Sequence, residues 1–139
     1  MSNFLYDSAR SAFVAGNLDW DDDSFKVYLL TSGYTGDRSA DVYVSDLPGG
    51  AILGTPTALT ACTVLAGGIL DAADVSYPDV AMGEIVERIV IAQDTGDTAT
   101  SLLVVYVDTF EDTTPIYRVG DGANIPIVWP DTTTRIAKL

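Results

Sequence analysis

Residues 85–107 read IVERIVIAQDTGDTATSLLVVYV, two apolar runs on either side of Asp94-Thr95-Gly96-Asp97. β-Branched and aromatic residues fill both runs, Ile85 to Ala92 and Ser101 to Val107, and turn-forming residues fill the gap, the signature of a β-hairpin. Strand side chains alternate between faces, so Ile89 and Ile91 share one side of the first run and Leu103, Val105 and Val107 share one side of the second. Upstream, Phe25 to Thr31 reads as a first core strand that adds Phe25, Val27 and Leu29. Together these residues form the expected core.

Working outward, Ile69 to Val75, Tyr117 to Val119, Ile125 to Trp129 and Arg135 to Leu139 read as further short strands, with Gly120-Asp121-Gly122 marking another turn. Near the N-terminus, Phe4, Leu5, Ala9, Ala12 and Phe13 recur at helical spacing. Ser2 is a candidate cap and Gly16 a stop, so the pattern predicts an amphipathic helix to about Ala15. Asp41 to Leu47 fits either a short helix or an edge strand. Many short strands between turns predict a mainly β fold: an antiparallel β-sandwich or jelly-roll-like domain with one short N-terminal α-helix, a single unit over residues 1–139.

Composition narrows the function classes. The chain has 139 residues, 7 basic and 20 acidic side chains and no histidine, for a formal charge of −13 and a pI near 4.1. Hydrophobic residues make up 47%, enough for a core that removes roughly two-thirds of the unfolded chain's surface from water. The acidic residues are 17 Asp against 3 Glu, a bias toward turns and caps over helix interiors. Nucleic acid is an unsuitable partner, because binding to its backbone is driven by Lys and Arg. An anionic membrane surface is disfavoured for the same reason. MSNFLYDSAR has neither the basic nor the apolar region of a secretory signal, and no apolar run approaches the ~20 residues of a helical membrane span.

Chemistry finds little support. Histidine, the commonest general base and metal ligand, is absent, and Cys62 lies among apolar residues with no cation nearby, the setting of an inert thiol. No phosphate-binding motif occurs. The expectation is a protein without enzymatic activity that requires no transition metal or organic cofactor. Asp19, Asp21, Asp22 and Asp23 are spaced closely enough to offer oxygen ligands to calcium, but the run lacks the central Gly and terminal Glu of an EF-hand, so a solvated acidic turn is the preferred reading. Asp71, Asp74 and Asp79 pose the same choice. Trp20 and Trp129 are read first as packing anchors and second as sugar-stacking rings. From Leu47 to Leu70 there are 24 residues without a formal charge, including five glycines and two prolines. This tract is either a buried strand with neutral loops or a contact surface, since interface cores are depleted of charge. On the contact reading, Ile52, Leu53 and Leu59 are the candidates for an intersubunit or shell contact.

The order of motifs adds a resemblance. An N-terminal helix is followed by Gly16-Asn17-Leu18-Asp19-Trp20, Phe25-Lys26-Val27-Tyr28-Leu29-Leu30 and Tyr34-Thr35. Then come the segments Leu70 to Tyr77, Ile89 to Gly96, Ala99 to Asp108 and Ile125 to Trp129. Over nearly its whole length this resembles a family of small structural proteins of tailed bacteriophages and prophages, some of them similar to capsid decoration, or cement, proteins. The resemblance implies a virion protein on the outer surface of the head, a homotrimer bound to the major capsid protein shell, with no catalytic residues to carry over. The tract Leu47 to Gly68 departs from it in being more neutral and glycine-rich. A competing expectation is a head- or tail-fibre module that binds host-surface glycan, motivated by Trp20, Trp129 and the seven tyrosines.

Overall fold

Within the Ile85–Val107 stretch, Arg88–Gln93 and Leu103–Val107 fold as a hairpin inside the largest sheet, whereas Ile85–Val86, expected on the same strand as Ile89 and Ile91, leaves it to pair with Arg118–Val119 in a separate ladder. The computed structural model describes residues 3–110, 114–130 and 136–138. In chain order its elements are β1 (Phe4–Leu5), α1 (Asp7–Ala15), β2 (Phe25–Leu30), β3 (Ile52–Ala58), β4 (Thr63–Leu65), β5 (Ile69–Asp71), β6 (Val75–Tyr77), β7 (Ile85–Val86), β8 (Arg88–Gln93), β9 (Leu103–Val107), β10 (Arg118–Val119), β11 (Ile125–Ile127) and β12 (Ala137–Lys138). The main sheet runs β1-β9-β8-β2-β3, and smaller ladders pair β10 with β7, β11 with β6, and β12-β5-β4; every pairing is antiparallel. The protein is mainly β with one short α-helix near the N-terminus, consistent with a sandwich-like fold.

Residues that alternation groups on one face meet across the strands. Val27 lies opposite Ile91, which lies opposite Val105, and Leu29 lies opposite Ile89, which lies opposite Val107. Two details differ from the expected core. Ile89 and Val107 are only half-buried, and the opposite parity, Tyr28, Leu30, Val90, Val104 and Tyr106, is buried as well. That second face is also covered: Phe4 stacks on Tyr106 with ring centroids 4.7 Å apart, and Tyr34 meets the same ring edge-on at 5.9 Å. At Gly36 the covering segment comes so close that an added Cβ would sit 2.7 Å from the Tyr106 ring. A strand buried on both sides loses its alternation, so period alone cannot reveal the second cover. Leu103 also leaves its expected row, because an irregularity between Ile91 and Ala92 sets it opposite Ala92.

The helix is shorter than expected. Phe4 and Leu5 are not on it but pair as β1 with Tyr106 and Val105, where the edge of β9 supplies backbone partners. The Tyr6 N–H extends this ladder to the Val104 carbonyl at 3.0 Å, and α1 begins at Asp7; the proposed cap, Ser2, lies outside the described residues. Gly16 ends the helix as expected at φ 79°, a left-handed conformation that costs glycine nothing, and Gly16 and Asn17 return N–H groups to the Phe13 and Ala12 carbonyls. Ala9 is buried, and Ala12 and Phe13 pack on the core.

The open alternative at Asp41–Leu47 resolves into a 3₁₀ turn, Val44–Asp46, tied to the sheet by a bridge between Tyr43 and Leu102. Ile69–Val75 is not one strand: β5 ends at Asp71 and β6 starts at Val75, because the two join different ladders. The C-terminal strand is described only over Ala137–Lys138; Arg135 and Leu139 lie outside the described residues. No helix among the described residues is long and apolar enough to cross a membrane.

Candidate functional site

The uncharged tract divides into a buried half and an exposed half. Leu53 lies opposite Leu29 and is 7% exposed; its carbonyl accepts the Tyr77 hydroxyl at 2.6 Å, and the same hydroxyl accepts the Leu29 N–H at 3.3 Å. Leu59 is 8% exposed and its N–H donates to the Phe25 carbonyl at 2.9 Å. Ile52, opposite Leu30, is half-buried against the same core. The selection of Ile52, Leu53 and Leu59 as contact residues is therefore corrected: Leu53 and Leu59 are occupied inside the chain, and Ile52 is partly so. Their backbone pairing with β2 draws them inward.

The exposed half is β4. Among the described residues it is the last strand of its sheet, with all three residues exposed, Val64 at 46% and Leu65 at 36%. A turn closed by the Gly68 N–H to the Leu65 carbonyl at 3.2 Å leads into β5, with Gly67 and Gly68 at φ 90° and 76°. Only glycine takes that conformation at low cost, and so the two glycines that make the tract look loop-like in fact hold β4 against β5. Val64 and Leu65 were hidden in the sequence because the whole tract lacks charge.

The acidic residues are used mainly to fold turns. Asp19 Oδ1 accepts N–H groups from Asp21 at 3.0 Å and Asp22 at 3.3 Å, while Asp23 Oδ2 accepts the Asp19 N–H at 2.9 Å. Asp37 accepts from Ser39 and Ala40, and Asp46 from Val42 and Tyr43; these backbone donors hold both carboxyls below the usual carboxylate range. Asp74 Oδ1 takes the Trp129 N–H at 3.0 Å, and Asp79 Oδ2 takes the Thr55 hydroxyl at 2.6 Å. Among the described residues no group of three or more His, Cys, Asp or Glu side chains is placed to hold a metal ion.

Both tryptophans are packing anchors. Trp20 is 1% exposed, its ring 4.6 Å from Phe25 and its indole N–H on the Asp71 carbonyl at 2.9 Å. Trp129 is buried with its indole N–H on the Ala73 carbonyl at 3.1 Å. Neither offers a ring face to a sugar. Of the tyrosines, Tyr43 and Tyr117 are exposed, whereas Tyr6, Tyr28, Tyr34, Tyr77 and Tyr106 are buried. Cys62 is half-buried; burial pushes its thiol up, with Asp21 adding to the effect, which disfavours the reactive thiolate.

One buried polar cluster had no sequence signal. The Tyr6 and Tyr34 hydroxyls lie 2.7 Å apart, and Tyr34 donates to Asp41 Oδ2 at 2.8 Å. Beside them the Tyr106 hydroxyl donates to Asp108 Oδ2 at 3.2 Å, and Asn3 Oδ1 accepts the Asp108 N–H at 2.9 Å. Burial raises the Tyr6 and Tyr34 phenols far above their ordinary value, which keeps them as neutral donors. This cluster ties the N-terminal segment, the loop after β2 and the end of β9 together, a structural role. No protein-family model matches the chain, and no curated protein matches it.

Proposed function

We propose that this chain is a non-enzymatic structural protein of a tailed-phage virion, a decoration protein that stabilises the head by bridging neighbouring subunits of the capsid shell as a homo-oligomer. The observation that supports it is the division of the surface: Asp side chains cap turns around an acidic exterior, while an uncharged tract presents β4 as an exposed sheet edge. A net charge of −13 keeps copies soluble and apart before assembly, and a neutral edge is where docking costs least. The motif order from Gly16 to Trp129 supports the virion setting. The glycan-binding reading has lost its main ground, since the tryptophans that motivated it are buried.

The test is reconstitution. Particles lacking this chain should be less resistant to heat than complete ones, and the purified chain added back should bind the shell in fixed stoichiometry and restore resistance. Unchanged particle stability together with no shell binding would remove the reading.

A further inference from the structure

We propose that Asp121-Gly122 is a self-modification site, at which the chain cyclises to a succinimide and reopens as isoaspartate. The modification needs no partner and stands apart from the virion reading. Of the 17 aspartates only Asp121 is followed by glycine. The turn sets the reacting atoms together: Asp121 Oδ1 accepts the Ala123 N–H at 3.0 Å, which folds the side-chain carboxyl back over the intervening Gly122 nitrogen. Asp19, Asp37, Asp94 and Asp97 make the same bond to the N–H two residues on, at 2.9–3.1 Å. Their intervening residues are Trp20, Arg38, Thr95 and Thr98, whose side chains crowd the nitrogen. Gly122 lies outside β10 and β11 at φ 85°, and beyond its chain neighbours no described residue comes within 4 Å of where a Cβ would stand. Its nitrogen can close on the carboxyl carbon without displacing a neighbour.

In the first step the Gly122 nitrogen bonds to Asp121 Cγ and gives up its proton, while a C–O bond of the carboxyl breaks and that oxygen leaves as water. Water then adds to either ring carbonyl. Breaking the ring C–N bond at Cγ restores aspartate. Breaking it at the main-chain carbonyl carbon routes the backbone through the side chain, longer by one methylene, and frees the old main-chain carbonyl as a carboxylate. Nothing is oxidised or reduced, and the mass is unchanged. The surrounding fold confines the change. Upstream, the Gly120 N–H donates to the Glu84 carbonyl at 2.7 Å, its carbonyl accepts the Gly83 N–H at 2.9 Å, and a Cβ there would lie 2.4 Å from the Ala81 carbonyl oxygen. Downstream, Ile125 is buried and pairs with Tyr77. Residues 121–124 between these anchors are all exposed, so the added methylene is absorbed there and the modified chain keeps its fold.

The purified full chain is aged at about pH 5 and at about pH 8, on either side of which the carboxyl's share of protonated form differs most usefully, and then digested. Isoaspartate is located by electron-transfer fragmentation of the peptides and counted with an isoaspartyl methyltransferase. It should accumulate at position 121 at least roughly tenfold faster than at the four other turns together, because glycine alone leaves the nitrogen open. It should form faster at the lower pH, where the oxygen can leave as water, and a species lighter by one water should precede it. Asp121→Ser keeps an acceptor for the Ala123 N–H but has no carboxyl, and should remove the signal. Fluorescence from Trp20 and Trp129 should be the same in aged and fresh chains. Isoaspartate at 121 with this pH order and this precursor establishes the site. No isoaspartate at 121 above the Asp121→Ser chain, equal labelling of all five turns, or faster formation at the higher pH overturns it, and a loss of tryptophan fluorescence on ageing overturns the confinement of the change.

Discussion

The Trp20 indole N–H donates to the Asp71 backbone carbonyl at 2.9 Å, fastening the acidic turn that precedes β2 to the end of β5. The contact spans 51 residues of chain and joins the main sheet to the smaller one that carries β4. Trp20→Phe keeps most of the packing but removes this hydrogen bond, a loss of about 0.5–1.5 kcal/mol. Trp20→Ala also opens a cavity and should cost about 3–5 kcal/mol. Urea unfolding of both variants checks the order; equal, small effects would show that the ring is not the anchor described.

Leu53 and Val64 lie in the same uncharged tract and should respond oppositely to the same substitution. Leu53→Asp places a carboxylate in the core opposite Leu29 and should abolish the folded circular dichroism spectrum, since an unpaired buried charge costs several kcal/mol. Val64→Asp puts the carboxylate on an exposed edge and should leave the spectrum of the chain unchanged. Loss of fold in both variants, or in neither, would contradict the division of the tract.

Stability should fall in acid through the turn-capping carboxylates. Asp37 and Asp46 have folded-state pKa values held below the unfolded value by backbone N–H donors. Their contribution is therefore present above the unfolded value and lost as pH falls through the folded one. The urea midpoint of the native chain should drop below about pH 4, and Asp37→Asn with Asp46→Asn should make that drop shallower. A double variant with the same acid dependence as the native chain would remove these two residues from the account.

At alkaline pH the sign reverses. Burial pushes the Tyr77 and Tyr106 phenols up to about 12, and for Tyr106 the neighbouring Asp108 adds to it. The unfolded phenol titrates near 10, so stability is full below that pH and is lost as pH rises through about 10 to 12. Phenolate absorbance from the buried tyrosines should develop late and together with loss of tryptophan fluorescence, as buried phenols ionise on unfolding. Reversible titration of every tyrosine near pH 10 in the folded protein would contradict the buried cluster.

The sequence carried the parts of the fold that local chemistry decides. Asp94-Thr95-Gly96-Asp97 between two apolar runs marked the β8–β9 connection, Gly16 marked the helix end, and the excess of Asp over Glu foretold turn capping. What escaped depends on distant partners. Phe4 and Leu5 have helical spacing, and only β9, a hundred residues away, makes them a strand. Leu53, Leu59, Val64 and Leu65 are indistinguishable by charge, and what separates them is that β3 lies against β2 while β4 ends its sheet. The Tyr6–Tyr34–Asp41 link joins residues with no shared motif.

The central claim, a decoration protein on a phage head, is tested most directly by imaging assembled particles that contain this chain and matched particles that lack it. The account predicts difference density repeated at equivalent local symmetry positions over the outer surface of the head, joined to neighbouring shell subunits. Difference density confined to the tail or to the tail vertex, or none on the particle, would contradict it.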